Sequence, residues 1–289
     1  MKNQFTNCSV AADYSLEIGV HDIGDFAQYR HKIPQNGRIY VNAVAGAGPA
    51  ERIKTVVSIS KFGFRPVPHI AARRFPSVAV LDDYLARLAD AGVDELLIVG
   101  GDVPAAPGPF ASALQIIESG MPEKYGIGRI GIAGYPDGHP TISNEILRDS
   151  LLAKIGACIE RNIDPYVVTQ FSFEAQSIIR WCREFHSRHP DTAVHAGIPG
   201  PARLATLLRF ARICGVRSSA KKLLKNSKVG LDLLRSAAPS KQLIAIGQYR
   251  SDTGYDVSAH IFTFGGIKEV INWLEEFNCG DGADRALNF

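Results

Sequence analysis

The 289-residue chain is short of the features that usually make a function legible. Its five cysteines, Cys8, Cys158, Cys182, Cys214 and Cys279, form no CxxC pair and no metal-like spacing. This excludes a zinc ribbon or a disulfide scaffold and leaves reduced thiols packed mostly on helices. No apolar run approaches the roughly 20 residues needed to span a bilayer. The opening MKNQFTNCSV is polar, unlike a secretory leader, so the cytoplasm is the expected compartment and no membrane partner is expected. Neither charge sign dominates, with 32 Lys and Arg against 29 Asp and Glu. A net charge of +3, dispersed apart from Lys221-Lys222, does not suit nucleic acid.

The common catalytic signatures are missing too. There is no GxSxG, and no cysteine ends a strand-like segment, so no nucleophile–base pair stands out. The HxH expected of a metal-hydrolase barrel is absent from the first such segment, which offers only Glu17 and His21, and no metal is expected. A dinucleotide fingerprint fails as well, because Ala45-Gly46-Ala47-Gly48-Pro49-Ala50 places proline inside the glycine pattern.

What is present is alternation. Short apolar runs at 15–20, 38–44, 65–71, 96–99, 129–136, 166–171, 192–198 and 258–264 read as strands. Between them lie stretches of helical spacing at 23–32, 50–62, 77–91, 110–119, 143–161, 174–186, 202–214, 218–237 and 241–250, with a last one at 267–277. The prolines of the third run are expected near a strand end. Eight strand–helix units predict an α/β fold, a single-domain (β/α)8 TIM barrel over residues 1–279, with 280–289 as a flexible tail. An open doubly wound sheet is the competing arrangement.

The fourth run shows the recurring design. Leu96-Leu97-Ile98-Val99 has no polar residue and leads into Gly100-Gly101-Asp102, so a buried parallel strand releases one carboxylate at its C-terminal end. In a barrel, the matching positions gather at one mouth: Glu17, Asn42, His69, Asp102, Tyr135, His139, Gln170 and His195. Two acids, imidazoles, an amide and a phenol in apolar surroundings suit a large flat ligand held by a few directed hydrogen bonds. His195 and His260 are read as structural, and Trp181 and Trp273 as helix packing.

Some of these residues also carry a resemblance. Leu16-Glu17, Pro68-His69-Ile70, Gly101-Asp102-Val103-Pro104, Ala133-Gly134-Tyr135-Pro136 with His139-Pro140, and Val168-Thr169-Gln170-Phe171 follow one another on successive strands. In that order the chain resembles the catalytic barrel of the methylenetetrahydrofolate reductase family, over residues 14–277 and without a regulatory domain. The resemblance implies a flavin-dependent oxidoreductase of one-carbon metabolism and methionine biosynthesis. It would interconvert 5,10-methylenetetrahydrofolate and 5-methyltetrahydrofolate by ping-pong hydride transfer through non-covalently bound FAD.

The resemblance also assigns roles: Glu17 as the acid that protonates the folate, and Asp102 as the charge beside the flavin. His69, Gly101, Tyr135, His139 and Lys154 match cofactor-binding positions, and Gln170 and Phe264 match substrate-binding ones. Tetrahydrofolate and a nicotinamide donor are the implied partners, while the donor's identity, the direction and a homo-oligomeric state stay open. Opening an aminal requires a proton on nitrogen, so an apolar strand environment is expected to keep the Glu17 carboxyl protonated near neutral pH.

This chain departs from the family pattern in places. Gly100 stands where the family usually has arginine, Phe262-Thr263-Phe264 replaces Tyr-Thr-Leu, and Gly265-Gly266 replaces a following arginine. Two further readings are a flavin-free folate-binding methyltransferase-type barrel and a non-catalytic partner subunit.

Overall fold

The computed structural model describes residues 13–43, 46–216, 236–237 and 239–278. In chain order the strands are β1 (Tyr14–Ile18), β2 (Arg38–Val41), β3 (Arg65–Ala71), β4 (Glu95–Val99), β5 (Arg129–Gly134), β6 (Asp164–Thr169) and β7 (Val194–Pro199). A short β8 (Ala202–Arg203) and β9 (Ser236–Ala237) follow, then β10 (Val257–Phe262). Eight of these form a closed barrel in which β1 is paired with both β2 and β10, and every barrel pairing is parallel. Closure excludes the open doubly wound sheet.

The third strand contains Pro66 and Pro68 well inside its length, not only near an end as the sequence suggested. The amide of Arg65 donates to Gly37 on the β2 side, so alternate residues from Arg65 face β2. The two prolines therefore turn their missing N–H toward β4, where pairing begins only at His69 opposite Leu97. No ladder bond is lost.

Inside the barrel, Tyr40 and Tyr166 are fully buried and their hydroxyls lie 3.0 Å apart, with Tyr40 also 2.8 Å from Nδ1 of His195. Gly131 makes room for this layer: a Cβ there would stand 2.9 Å from the Tyr166 ring and hydroxyl. The N-terminal end is plugged by Glu95, 1% exposed, between Arg38 at 3.0 Å, Arg65 at 3.3 Å and Arg129 at 3.5 Å. This arginine-ringed carboxylate was not visible as a unit in the sequence, because its members come from four strands.

The helices are α1 (Ile23–Tyr29), α2 (Pro49–Lys61), α3 (Val78–Asp90), α4 (Ala113–Glu118), α5 (Met121–Lys124), α6 (Asn144–Glu160), α7 (Ala175–His186), α8 (Leu204–Ile213), α9 (Ser240–Thr253) and α10 (Ile267–Asn278). Serine caps open several of them, with Ser77, Ser112 and Ser143 each accepting an amide of the first turn. Their apolar stripes cover the barrel as the spacing predicted; in α3 the buried side is Leu81, Tyr84, Leu85 and Leu88.

One connection differs from the sequence reading. Ser236–Ala237, expected at the end of a helix, instead pairs antiparallel with Ala202–Arg203, and the helix expected from residue 202 starts at Leu204. The rest of the 218–235 helix, the 280–289 tail, Cys8, Cys279 and Lys221-Lys222 lie outside the described residues. The outer ring is completed after β7 by α9, which packs on α7 and β10. That leaves α8 on the mouth side. Its Phe210 stacks on Phe264 with centroids 4.1 Å apart, and Gly215 just beyond it abuts Pro140 of the loop after β5.

Candidate active site

The mouth residues fall into separate clusters. The first surrounds Glu17, at the C-terminal end of β1. Its Oε2 lies 3.5 Å from Nε2 of His69 and 3.4 Å from Nε2 of His260, and Oε1 lies 3.5 Å from the Asn42 amide nitrogen. The hydroxyl of Thr263 donates to the Glu17 carbonyl at 2.7 Å, which ties β1 to the end of β10. His260 is fully buried, and its Nδ1 lies 2.9 Å from the Ser15 hydroxyl. With Ser15 donating to Nδ1, the ring presents an Nε2–H to the carboxylate.

Burial alone pushes the Glu17 carboxyl up, but His69, His260 and Asn42 together outweigh it, and its pKa lies below the usual carboxylate range. The expectation of a carboxyl kept protonated by apolar surroundings is therefore corrected: the apolar strand is present, and two imidazoles overrule it. His69 is shifted down as well, chiefly by burial and against the pull of Glu17. The cluster is a carboxylate with Nε2 of two imidazoles within 3.5 Å of one oxygen. The contribution of His260 escaped the sequence reading, although its position next to Phe262-Thr263-Phe264 was a usable signal.

The second cluster is at the β3 and β4 tips. Asp102 is largely exposed and is paired with Arg74, whose Nη2 lies 2.6 Å and Nε 3.1 Å from Oδ1. Slight burial raises the Asp102 pKa and Arg74 more than reverses it, so the group is an anion with a resident counter-ion. Gly101, at φ +93°, adopts a conformation that suits glycine, and its carbonyl accepts from the guanidinium of Arg73. Arg73 and Arg74, from the turn after β3, thus both reach the β4 tip.

On the other side, Tyr135 and His139 meet edge to face with centroids 5.6 Å apart, and burial raises the tyrosine and lowers the histidine. Gln170 directly follows β6, and its side-chain oxygen accepts from the Phe171 amide at 3.0 Å. Phe264 belongs to an aromatic cluster with Phe171, Phe210 and Phe262. His195 sits deeper, in the tyrosine layer, and is structural as expected.

Lys154 is not brought to these groups. It lies ten residues into α6, roughly 15 Å down the helix from its mouth-side start, and burial lowers its ammonium while Cys158 partly offsets this. Cys214, at the end of α8, is close enough to feel Glu17, which adds to burial in pushing its thiol up to about 11.

A cavity of about 570 Å³ lies beside the mouth, between α6 and α7. Tyr135, Asp137, Arg148, Arg180, Trp181 and Arg188 are among its lining residues. It opens where Trp181 rests on Gly134, a position at which a Cβ would meet the indole at 2.9 Å.

Among the described residues no group of three or more His, Cys, Asp and Glu could hold a metal ion. No helix among them is long and apolar enough to cross a membrane.

A barrel whose strand tips carry this set invites comparison with known proteins. The model of the family described as methylenetetrahydrofolate reductase matches residues 25–228. The chain belongs to that family. It is 25% identical over 266 residues to methylenetetrahydrofolate reductase 2 of Saccharomyces cerevisiae strain ATCC 204508 / S288c, covering 86% of this chain and 43% of the yeast protein. The chain therefore spans less than half the length of that relative.

Among solved structures, an uncharacterized Clostridium thermocellum protein that binds two copies of 5-methyl-5,6,7,8-tetrahydrofolic acid superposes with a TM-score of 0.61. It is 9% identical, over 99% of this chain and 100% of that one. Tryptophan synthase from M. tuberculosis superposes at 0.51 with 13% identity, over 96% and 94%. At these identities both matches speak for the fold.

Proposed function

We propose that this barrel interconverts 5,10-methylenetetrahydrofolate and 5-methyltetrahydrofolate, using FAD as the hydride carrier between a nicotinamide donor and the folate. Family membership supports the reaction class. The observation that supports the assignment to this site is the Glu17–His69–His260 cluster, a carboxylate with two imidazoles within 3.5 Å at the mouth.

The residues present fit a flavin. Gly101, at φ +93°, leaves its part of the β4 tip without a side chain, so a flat ring could approach the backbone there. The buried Nε of Arg73 has no hydrogen-bond partner among the described residues and offers a donor to an anion. Arg73, Tyr135 and Asp102 would hold the cofactor, and Gln170 and Phe264 would hold the pterin. Bound there, FAD would supply two-electron chemistry between donor and folate.

The protein's own part is proton handling and positioning. Glu17, with Nε2 of His69 and of His260 within 3.5 Å, takes a proton from solvent and passes it to the folate nitrogen as the aminal opens. His69 stands 3.5 Å away and keeps the carboxylate oriented. Asp102 keeps a negative charge near the cation that ring opening generates, and Arg74 holds it in place. The aromatic cluster around Phe264 and the overlying α8 exclude water from the hydride path.

The visible spectrum of the purified protein tests the reading. A bound flavin that bleaches anaerobically with NADH, NADPH or 5-methyltetrahydrofolate supports it. A protein that binds the pterin yet takes up no flavin would move the assignment to a flavin-free folate barrel.

A further inference from the structure

The β3 and β4 tips gather guanidiniums from two elements. Arg52 from α2 and Arg73 and Arg74 from the turn after β3 converge there, and Arg52 feels the charge of Arg74. Of the nearby acids, Asp102 is engaged by Arg74, and Glu51 accepts the Gly48 amide at 3.0 Å at the start of α2. Among the described residues no carboxylate lies within ion-pair distance of Arg73. Its Nε is buried without a hydrogen-bond partner among those residues, while its Nη2 bonds the Gly101 carbonyl. Its charge bears on both Tyr135 and Asp102, the two sides of the bare glycine tip.

The backbone explains how the guanidinium comes to be there. The Arg73 amide donates to the Gly100 carbonyl at 3.0 Å, which holds the β3 turn against the end of β4. The side chain lies beside residue 100: a Cβ at Gly100 would stand 3.9 Å from Arg73 Nη2, in ordinary van der Waals contact. The glycine departs from the family's arginine, and the space that an arginine at 100 would enter is held by a cation arriving from the neighbouring strand.

From this geometry we propose that Arg73 is the binding residue for an anionic phosphate group at the β3–β4 tips, namely the pyrophosphate of FAD. The cation lost at position 100 is restored from position 73. The inference rests on the flavin reading above for the identity of the phosphate, but the anion site stands on the geometry alone. A guanidinium with one N–H spent on a carbonyl and a buried N–H still free is suited to charge-assisted bonds to phosphate oxygens.

The test compares wild type with Arg73→Gln, which keeps an N–H donor for the Gly101 carbonyl while removing the charge. Dissociation constants are measured for FAD, riboflavin and inorganic pyrophosphate, alongside the melting temperature. The expected result is FAD and pyrophosphate binding weakened about 10- to 100-fold, with riboflavin affinity and melting temperature unchanged. Adding Gly100→Arg to the Arg73→Gln protein should recover most of the lost FAD affinity, since residue 100 is sterically open. Equal FAD and pyrophosphate affinities in wild type and Arg73→Gln would overturn the proposal. So would failure of wild type to bind either phosphate ligand. If wild type takes up pyrophosphate in an Arg73-dependent way but no flavin, the anion site stands and the flavin reading falls.

Discussion

Nε2 of His260 lies 3.4 Å from Oε2 of Glu17, joining residues 243 positions apart across the seam where the first and last barrel strands pair. The contact matters because burial alone would raise the Glu17 pKa, and His69, His260 and Asn42 turn the shift downward. It also gives His260, buried and bonded to Ser15, a task beyond packing: it positions and charges the carboxylate.

Replacing Glu17 with glutamine should leave flavin uptake and its reduction by a nicotinamide intact while slowing folate turnover at least about 100-fold, the usual contribution of a positioned acid. Stopped-flow measurement of the two half-reactions separates the effects. Wild-type folate rates in Glu17→Gln would remove this residue from proton transfer.

Removing the His260 donor should act through Glu17. In His260→Phe the carboxyl loses an N–H contact and burial acts with less opposition, so its pKa moves up. The Glu17-dependent limb of the folate half-reaction should then shift to higher pH, while His260→Gln, with its amide N–H, shifts less. An unmoved limb in both variants would reduce His260 to packing.

The buried Glu95 answers three guanidiniums at the barrel floor. Removing a buried charge partner typically costs about 3–5 kcal/mol. At roughly 2–4 °C per kcal/mol for a chain of this order, Glu95→Gln should lower Tm by about 6–20 °C. Flavin affinity of the folded protein should not change, because the plug lies at the opposite end from the mouth. A Tm within about 2 °C of wild type by scanning calorimetry, against roughly 2–4 °C for even 1 kcal/mol, would contradict the plug's importance.

Acid should destabilise the protein earlier than carboxylate protonation alone would. Burial holds His195 well below the ordinary histidine range, and lowers His69 as well. The unfolded chain takes up protons on these rings below about pH 6.5 while the folded one does not. Stability is thus complete above that pH and falls as pH drops toward the folded-state values, by up to about 1.4 kcal/mol per unit for each ring. Tm measured between pH 7 and 5 should slope downward on acidification, and His195→Gln should flatten the slope. A flat wild-type profile would show that the rings are protonated in the fold.

Much of the architecture was legible because barrel periodicity is local. The third strand was read at its observed 65–71 limits, and α3, α6 and α10 fell within a residue or so of their observed ends, since caps and apolar spacing act over a few residues. The piece around β8 and β9 was misread because a two-residue antiparallel pairing between positions more than 30 apart leaves no periodic trace. The site divided along the same line. Glu17, Asp102 and Gln170 could be placed at strand ends from the sequence, while the position of Arg73 beside Gly100 could not, since it depends on the pairing of β3 with β4.

The sequence by itself determined the barrel, the mouth and most of the polar side chains that reach it, because alternating strands and helices with glycine-rich tips admit few other packings. Tertiary structure decided how those side chains are charged and which neighbours answer them. Closure of β10 on β1 brings His260 to Glu17 and turns a carboxyl expected to be neutral into a carboxylate. Pairing of β3 with β4 lays Arg73 beside Gly100. Both follow from distances in space, and electrostatic interaction falls with that distance whatever the separation along the chain.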